Sequence, residues 1–454
     1  MEKQEDRRPH RLVLVLFPLQ GHTTPMLQLG SLLYSRGFSI TIAHTSFNPP
    51  NPINHPHFHF LLLPDKTHYS LNSGTPKIKD LESINLNCQA PLKEFLELQK
   101  QRTYSQVAGV IHDSLMYFAA AVANDYKIPS LVLRTSSAAF AQTYVALPRL
   151  LAEGSLVFED SMLHELVPQL NPLRFKDLPV SRENMEVTLK LMDILRNSKS
   201  SSALIINTLD CFEQLPLFQL RQHFQVPIFG IGPLSRMASA SSTSFLEEEA
   251  SCIAWLNTQA PKSVLYISKG SLAMSDEKEL REIAWGLVNS EQPFLWVVRP
   301  GSVSGSDWTE SLPQGFIEHV GERGLIVKWA PQKEVLAHCA VGGFWTHCGW
   351  NSVMESLSEG VPMICSPQFF DQKVNARYIT HTWKVGLELE GELERGDIER
   401  SIRKLVAGTE GVEIRQRAIE WKQMIDVSIL EGGSTYNALN DLTEFLLTNK
   451  ILPN

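Results

Sequence analysis

The sequence is poor in three things, and each shortage closes a route to function. It has no excess of basic residues: 41 Lys and Arg stand against 49 Asp and Glu in 454 residues, a formal charge of -8, which argues against a nucleic-acid partner. It opens without a long apolar run. Leu12 to Pro18 is only seven residues and no small-residue cleavage site follows it, whereas a membrane-spanning helix needs roughly 20. It also lacks a dense cysteine framework, because Cys88, Cys211, Cys252, Cys339, Cys348 and Cys365 are scattered along the chain. Reduced thiols in a cytoplasmic, soluble and monomeric protein are the expectation.

What is present is an alternation of strand and helix patterns. After the first apolar run comes the turn "PLQGHTTP", then apolar residues at helical spacing from Met26 to Leu33, then the strand "FSITIAH". "VAGVIHDS", "PSLVLRTS", "SALIINTL" and "PIFGIGPL" are further strands, with helices such as "YFAAAVANDY" between them. A second series starts at "KSVLYIS" and continues through "FLWVVRP", "GLIVKWA", "VGGFWTH" and "PMICSP". Such alternation predicts parallel sheets covered by helices. The Ser- and Ala-rich, then acidic stretch from 235 to 250 reads as a linker. The expected division is a domain over 1–234, a linker over 235–250, a second domain over 251–430 and a helical segment over 431–454 packing back on the first. A cleft between two such domains would be the place for a small molecule.

Two His-Cys pairs, His338-Cys339 and His347-Cys348, are residue types that bind zinc. The intervening "AVGGFWT" reads as a strand, whose extended residues at roughly 3.3 Å each hold the pairs about 20 Å apart. That argues against a common coordination sphere unless Gly342-Gly343 makes a turn, and no metal is expected. The residues after the strand carry more. Gly349 opens a short helix, "WNSVMESLSE", which Gly360 ends. A strand, a glycine turn and a helix N-terminus form an anion site, because the first backbone N–H groups have no partners within the helix. Asn351 and Ser352 lie in its first turn, and Glu355 lies one turn deeper on the same face, where a carboxylate can accept both hydroxyls of a ribose.

Trp329 to Gln372, "WAPQKEVLAHCAVGGFWTHCGWNSVMESLSEGVPMICSPQFFDQ", resembles the 44-residue signature box of plant UDP-sugar-dependent glycosyltransferases of small molecules, and "FPLQGH" and "FLWVVRP" extend the resemblance over nearly the whole chain. The nearest resemblance is to the subgroup that includes cytokinin and steviol-glycoside glucosyltransferases. The resemblance implies two Rossmann-like domains facing a cleft, the GT-B type, with UDP-glucose as donor and no other cofactor. It implies that Trp329 stacks on the uracil while the Ala330 backbone and Gln332 hold the nucleoside. His347, Asn351 and Ser352 would meet the diphosphate and Glu355 the ribose. Trp350, Asp371 and Gln372 would hold the sugar, with Ser271 on the donor side and Ser136 as a further sugar contact. Asp371 and Gln372 also follow "PMICSP", at the carboxyl edge of a sheet where α/β folds bind ligands.

His22 lies between the first strand and a helix whose start Thr24 and Pro25 are expected to mark. An imidazole there, of ordinary pKa about 6.5, is suited to accept a proton near pH 7. The resemblance makes it the catalytic base and implies Asp113, in "GVIHDSLMYF", as the carboxylate that orients it. Neighbouring His112 should point to the opposite strand face and be structural. One departure from the family stands in "LYISKGSLA": Lys269 occupies a position usually apolar or aromatic, and must reach solvent, pair, or shift its protonation. Thr23 and Thr24 also depart and could touch an acceptor. The acceptor pocket is expected in the loops "THYSLNSGTPKIKDLES" and "SSAAFAQTYVALPRLLAEG", for a terpenoid, phenolic or hormone. Two other classes fit the sequence less well. A non-catalytic UDP-sugar-binding protein would have no need of His22, and an NAD-dependent sugar-nucleotide oxidoreductase would need a Gly-x-Gly-x-x-Gly turn that neither half offers after its first strand.

Overall fold

The computed structural model describes residues 10–65, 78–101, 106–156, 159–181, 184–196, 201–238, 243–272, 275–303 and 312–448. The chain divides into two compact units: Met1–Leu156 with Val180–Phe245 and Val427–Asn454, and Val157–Pro179 with Leu246–Asp426.

Among the described residues the first unit holds β1 (His10–Val15), β2 (Ser39–His44), β3 (His59–Leu62), β4 (Gln106–Asp113), β5 (Ser130–Arg134), β6 (Ala203–Ile206) and β7 (Ile228–Gly230) in one sheet of order β3-β2-β1-β4-β5-β6-β7. Every pairing is parallel. Both faces of the central strands are covered. Leu12 and Leu14 pack with Met26, Leu27 and Leu33 of the helix Gln20–Ser35 and with Leu439, Leu442 and Leu446 of the helix Ser434–Thr448. Val13 and Val15 pack on the opposite face with Leu92, Leu96 and Phe118. This two-sided burial is why these strands read as continuous apolar runs.

The second unit holds β8 (Val264–Ser268), β9 (Phe294–Val297), β10 (Gly324–Val327), β11 (Val341–Thr346), β12 (Met363–Cys365) and β13 (Gly386–Glu388), parallel throughout, in the order β10-β9-β8-β11-β12-β13. Leu265, Ile267 and Trp345 face Leu280 and Ile283 of the helix Glu277–Ser290 and Ile402 and Leu405 of the helix Arg395–Val406. Asp276 caps the former helix by accepting from the Glu279 N–H at 2.7 Å.

Three features differ from the sequence-based outline. Val157–Pro179 goes with the second unit, tied there by Arg174 to Glu388 at 3.5 Å, Lys176 to Glu390 at 2.8 Å and Arg377 Nε to the Pro172 carbonyl at 2.8 Å. The stretch 136–154 is not a loop but largely the helix Ala138–Ala152, whose cap Ser137 accepts from the Phe140 N–H and whose Phe140, Tyr144, Leu147 and Leu150 are buried. Of the other expected acceptor loop, 67–77 lies outside the described residues and 78–83 begins the helix Ile78–Asn87.

Candidate active site

In each sheet the strand order reverses direction at one point, β1 beside β4 in the first and β8 beside β11 in the second. Connections from such a pair leave on opposite faces and open a crevice at the carboxyl ends. The first reversal holds His22 and Asp113. The helix after β1 begins at Gln20, not at Thr24 as the Thr-Pro signal suggested, so His22 sits in its first turn and Pro25 lies inside it. The reason is long-range. Gln20 Nε2 donates to Thr24 Oγ1 at 2.7 Å and to the Thr243 carbonyl at 2.8 Å, and its Oε1 accepts from the Phe245 N–H at 2.9 Å. Thr24 is thereby engaged with Thr243 at 3.0 Å, and Thr23 is buried with its hydroxyl donating to the Phe17 carbonyl. The two threonines expected near an acceptor serve the helix start instead.

Asp113 ends β4 and is 1% exposed, against 25% for the His22 side chain. The His22 Nδ1–H donates to Asp113 Oδ2 at 2.8 Å, and Asp113 Oδ1 accepts from the Leu115 N–H at 2.9 Å. With Nδ1 as donor, the lone pair of the neutral ring lies on Nε2. Phe17 packs edge-on to the imidazole at 5.2 Å. His112 is wholly buried on the other strand face, bonded to the Asp113 carbonyl at 2.9 Å, and burial lowers its pKa. Ser136, half-buried, lies beyond β5, but its neighbour Thr135 is the one that reaches His22 Nδ1, at 3.2 Å.

The second reversal holds Gly270 and Ser271 after β8 and His347-Cys348-Gly349 after β11. Gly349 is the N-cap of the helix Trp350–Ser358. The His347 ring lies between two glycines: a Cβ at Gly270 would come within 2.5 Å of the ring, and one at Gly349 within 2.4 Å of Nε2. Gly270 also has φ +75°, a conformation that costs other residues about 1–2 kcal/mol. Burial lowers the His347 pKa to about 4, with the Ser268 carbonyl opposing and Lys269 reinforcing the shift. The ring is therefore neutral near pH 7 and can meet an anion as an N–H donor, beside the N–H groups of the helix start. Asn351 is half-buried and Ser352 buried in the first turn.

Gln332 opens the helix Gln332–Ala337 and gathers three of the predicted positions. Its Nε2 donates to Glu355 Oε2 at 2.7 Å and to Ser352 Oγ at 3.0 Å. Burial raises the Glu355 pKa, partly offset by that bond. Trp329 is half-buried and Ala330 buried. Their loop is held by Glu249, whose N–H donates to the Trp329 carbonyl at 2.9 Å and whose Oε1 accepts from the Lys328 N–H at 2.7 Å. The end of the expected linker is thus a clamp on this loop. Trp350 is 3% exposed with its ring 6.2 Å from that of Trp383; it is its backbone N–H that stands in the first turn. Asp371 and Gln372 open the helix Asp371–Arg377 beyond β12. Asp371 Oδ2 accepts from Asn375 Nδ2, which also donates to the Cys348 carbonyl, both at 2.9 Å. Gln372 Oε1 accepts from the Gln368 N–H at 2.9 Å.

Lys269 takes the pairing route. Its amine donates to Ser275 Oγ at 3.1 Å and forms an ion pair with Glu279; burial lowers its pKa, with Glu279 opposing. The two His-Cys pairs stand at opposite ends of β11, and among the described residues no group of three or more His, Cys, Asp and Glu could hold a metal ion. Thr135, Glu249, Tyr266 and Asn375 were not found from the sequence, because none belongs to a spacing that signals its role.

A family model described as UDP-glucoronosyl and UDP-glucosyl transferase matches residues 239–412. The chain is 48% identical over 452 residues to UDP-glycosyltransferase 76E1 of Solanum lycopersicum, covering 98% of this chain and 94% of that one. It is 44% identical over 459 residues to a flavonol 3-O-glucosyltransferase of Arabidopsis thaliana, covering 99% of each. Among solved structures, Phytolacca americana UGT2 complexed with UDP-2fluoro-glucose and pterostilbene superposes with a TM-score of 0.83 at 27% identity, over 97% of this chain and all of that one.

Proposed function

The chain belongs to the plant UDP-glycosyltransferases and has their GT-B fold, and on that premise we propose that it transfers glucose from UDP-glucose to a hydroxyl of a small lipophilic acceptor, with inversion and with His22 as general base. The observation that carries the reading is the His22 Nδ1 to Asp113 Oδ2 bond of 2.8 Å. It dictates which nitrogen is basic. His22 Nε2 takes the acceptor proton as the acceptor oxygen bonds to the anomeric carbon; the bond from that carbon to phosphate breaks, and its electron pair leaves with UDP. Asp113 keeps the Nδ1 proton and stabilises the imidazolium that forms. Opposite-face attack on an α-linked donor gives a β-glucoside.

Charge growing on the departing diphosphate is met by the N–H groups of the helix Trp350–Ser358 and by neutral His347. This needs no metal, so transfer should persist in EDTA. Glu355 accepts the ribose hydroxyls and Trp329 covers the uracil; Trp350, through its backbone, Asp371 and Gln372 meet the sugar, with Ser271 and Ser136 as further donor contacts. A flavonol 3-O-glucosyltransferase among the relatives puts phenolics first among acceptors, ahead of terpenoids and hormones. No helix among the described residues is long and apolar enough to cross a membrane; the reading takes the chain as a cytoplasmic monomer, which gel filtration and imaging of the tagged chain would check. The central test is incubation with UDP-glucose and a panel of hydroxylated phenolics, terpenoids and hormones, read by mass spectrometry for hexose addition and by proton coupling at the anomeric centre. UDP binding without transfer across the panel would replace the enzyme by a binding protein.

A further inference from the structure

We infer that Tyr266 is a positioning residue for the ribose: its hydroxyl holds the Gln332 amide, which in turn holds Glu355 ready for the two sugar hydroxyls of a nucleoside diphosphate. The inference rests on the reading of Glu355 given above. Tyr266 lies in β8 and is 1% exposed, stacked on Phe344 of β11 at 5.0 Å, its register partner in the parallel pair. Its OH donates to Gln332 Oε1 at 3.2 Å. Burial pushes the phenol far above its usual range, so it remains a donor at every working pH.

The chain of bonds has a direction. A Gln side chain can turn over, exchanging its oxygen and its NH2 at small steric cost. Here the oxygen is taken by the Tyr266 hydroxyl, so the NH2 faces Glu355 Oε2 at 2.7 Å and Ser352 Oγ at 3.0 Å. Glu355 then has one oxygen bound and its plane fixed, which is the condition for the carboxylate to accept two neighbouring hydroxyls together. Tyr266 also has the Ser268 hydroxyl beside it, and Ser268 Oγ accepts from the Gly270 N–H at 3.4 Å. One network therefore runs from the turn beside His347 to the ribose carboxylate. Without the phenol hydroxyl the amide and the carboxylate would each sample other rotamers, and the loss would fall on ligands that carry both hydroxyls.

The test uses Tyr266→Phe, which keeps the ring and its stack on Phe344, with UDP and 2′-deoxy-UDP as competitive inhibitors. Wild type should prefer UDP by about tenfold, and the variant should narrow that preference at least about threefold. The KM for UDP-glucose should rise about fivefold while kcat stays within about twofold. Gln332→Ala should remove the effect, the double variant binding UDP no more weakly than Gln332→Ala alone. Equal weakening of both inhibitors, no change in either, or additive losses in the double variant would each overturn the inference. Wild type that binds UDP without preferring it to the deoxy form would overturn it with the reading of Glu355. Failure to bind UDP at all would instead remove the glycosyltransferase function itself.

Discussion

His22 and His347 each stand at the strand-order reversal of their own sheet, beyond the carboxyl ends of β1 and β11, on the first strand of the reversing pair in one sheet and the second in the other. Their surroundings are opposite. His22 is a quarter exposed and tied through Nδ1 to a buried carboxylate. His347 has no acid partner among the described residues; it lies between two glycines, and burial drops its pKa to about 4. The first arrangement suits the proposed base, because a carboxylate favours the charged ring that proton transfer creates. The second makes a neutral donor, because a dry site penalises the same charge. The fold offers the place, and the neighbours choose the chemistry.

The sharpest way to break this contrast is to remove the proposed base and its orienter. His22→Ala should lower kcat by about 10²–10⁴-fold, and Asp113→Asn should cost a similar amount, since an amide no longer dictates the tautomer. Affinity for UDP, measured by calorimetry, should change less than about twofold in both. Wild-type turnover by His22→Ala on a hydroxyl acceptor would make the pair ornamental. Next in size come the glycines around His347. Gly270→Ala puts a Cβ within 2.5 Å of the ring at φ +75°, and UDP affinity should fall at least about tenfold. Unchanged binding would mean that the ring position is irrelevant to the diphosphate.

Much of this contrast was legible in the sequence, and the limits have a physical cause. β1, β4, β8 and β11 are buried on both faces and read as unbroken apolar runs. β3 and β13 are edge strands, the short and partly exposed "HFLL" and "GLE", and gave no such signal. His22 and Asp113 were expected from the family resemblance outside the signature box, and the residues from His347 to Glu355 from the box and the spacing of its strand, turn and helix. What set their geometry was invisible. Thr135 meets His22 across 113 residues, Glu249 clamps Lys328 across 79, and Tyr266 meets Gln332 across 66. A threonine, a glutamate or a tyrosine in isolation does not announce a partner so distant. The Thr-Pro start signal misled for the same reason: the helix starts one turn earlier, at Gln20, whose side chain is held by Thr243 and Phe245.

A milder perturbation is pH. The unfolded His347 ring binds its proton near the ordinary 6.5 and the folded one only near about 4, so between these values the unfolded chain holds more protons and stability falls as pH is lowered. The loss should reach at most roughly 3 kcal/mol below the lower value. It should be absent from His347→Gln, so in urea denaturation from pH 7 to 4 the wild type should lose stability relative to the variant. Parallel curves would mean that the ring is not held neutral by burial. The readout also separates the two histidines, because a base that is partly exposed and bonded to Asp113 does not share this cause.

The smallest effect should come from Lys269, the residue that departs from the resembling sequences. Its amine turns to Ser275 and Glu279, so it acts on the site only through the turn that carries Gly270 and Ser271. Lys269→Phe should leave kcat and the donor KM within about threefold and cost about 1 kcal/mol, the upper range for a partly shielded pair. Glu279 is a quarter exposed on its side chain and stays hydrated without its partner. A secondary signature ties this back to the donor histidine. Lys269 is one of the charges that depress the His347 pKa, so its removal should raise the folded value and make the acid loss of stability slightly smaller, ending at a slightly higher pH. A donor KM raised more than about tenfold in Lys269→Phe but not in Glu279→Gln would reassign the amine from the turn to the diphosphate itself.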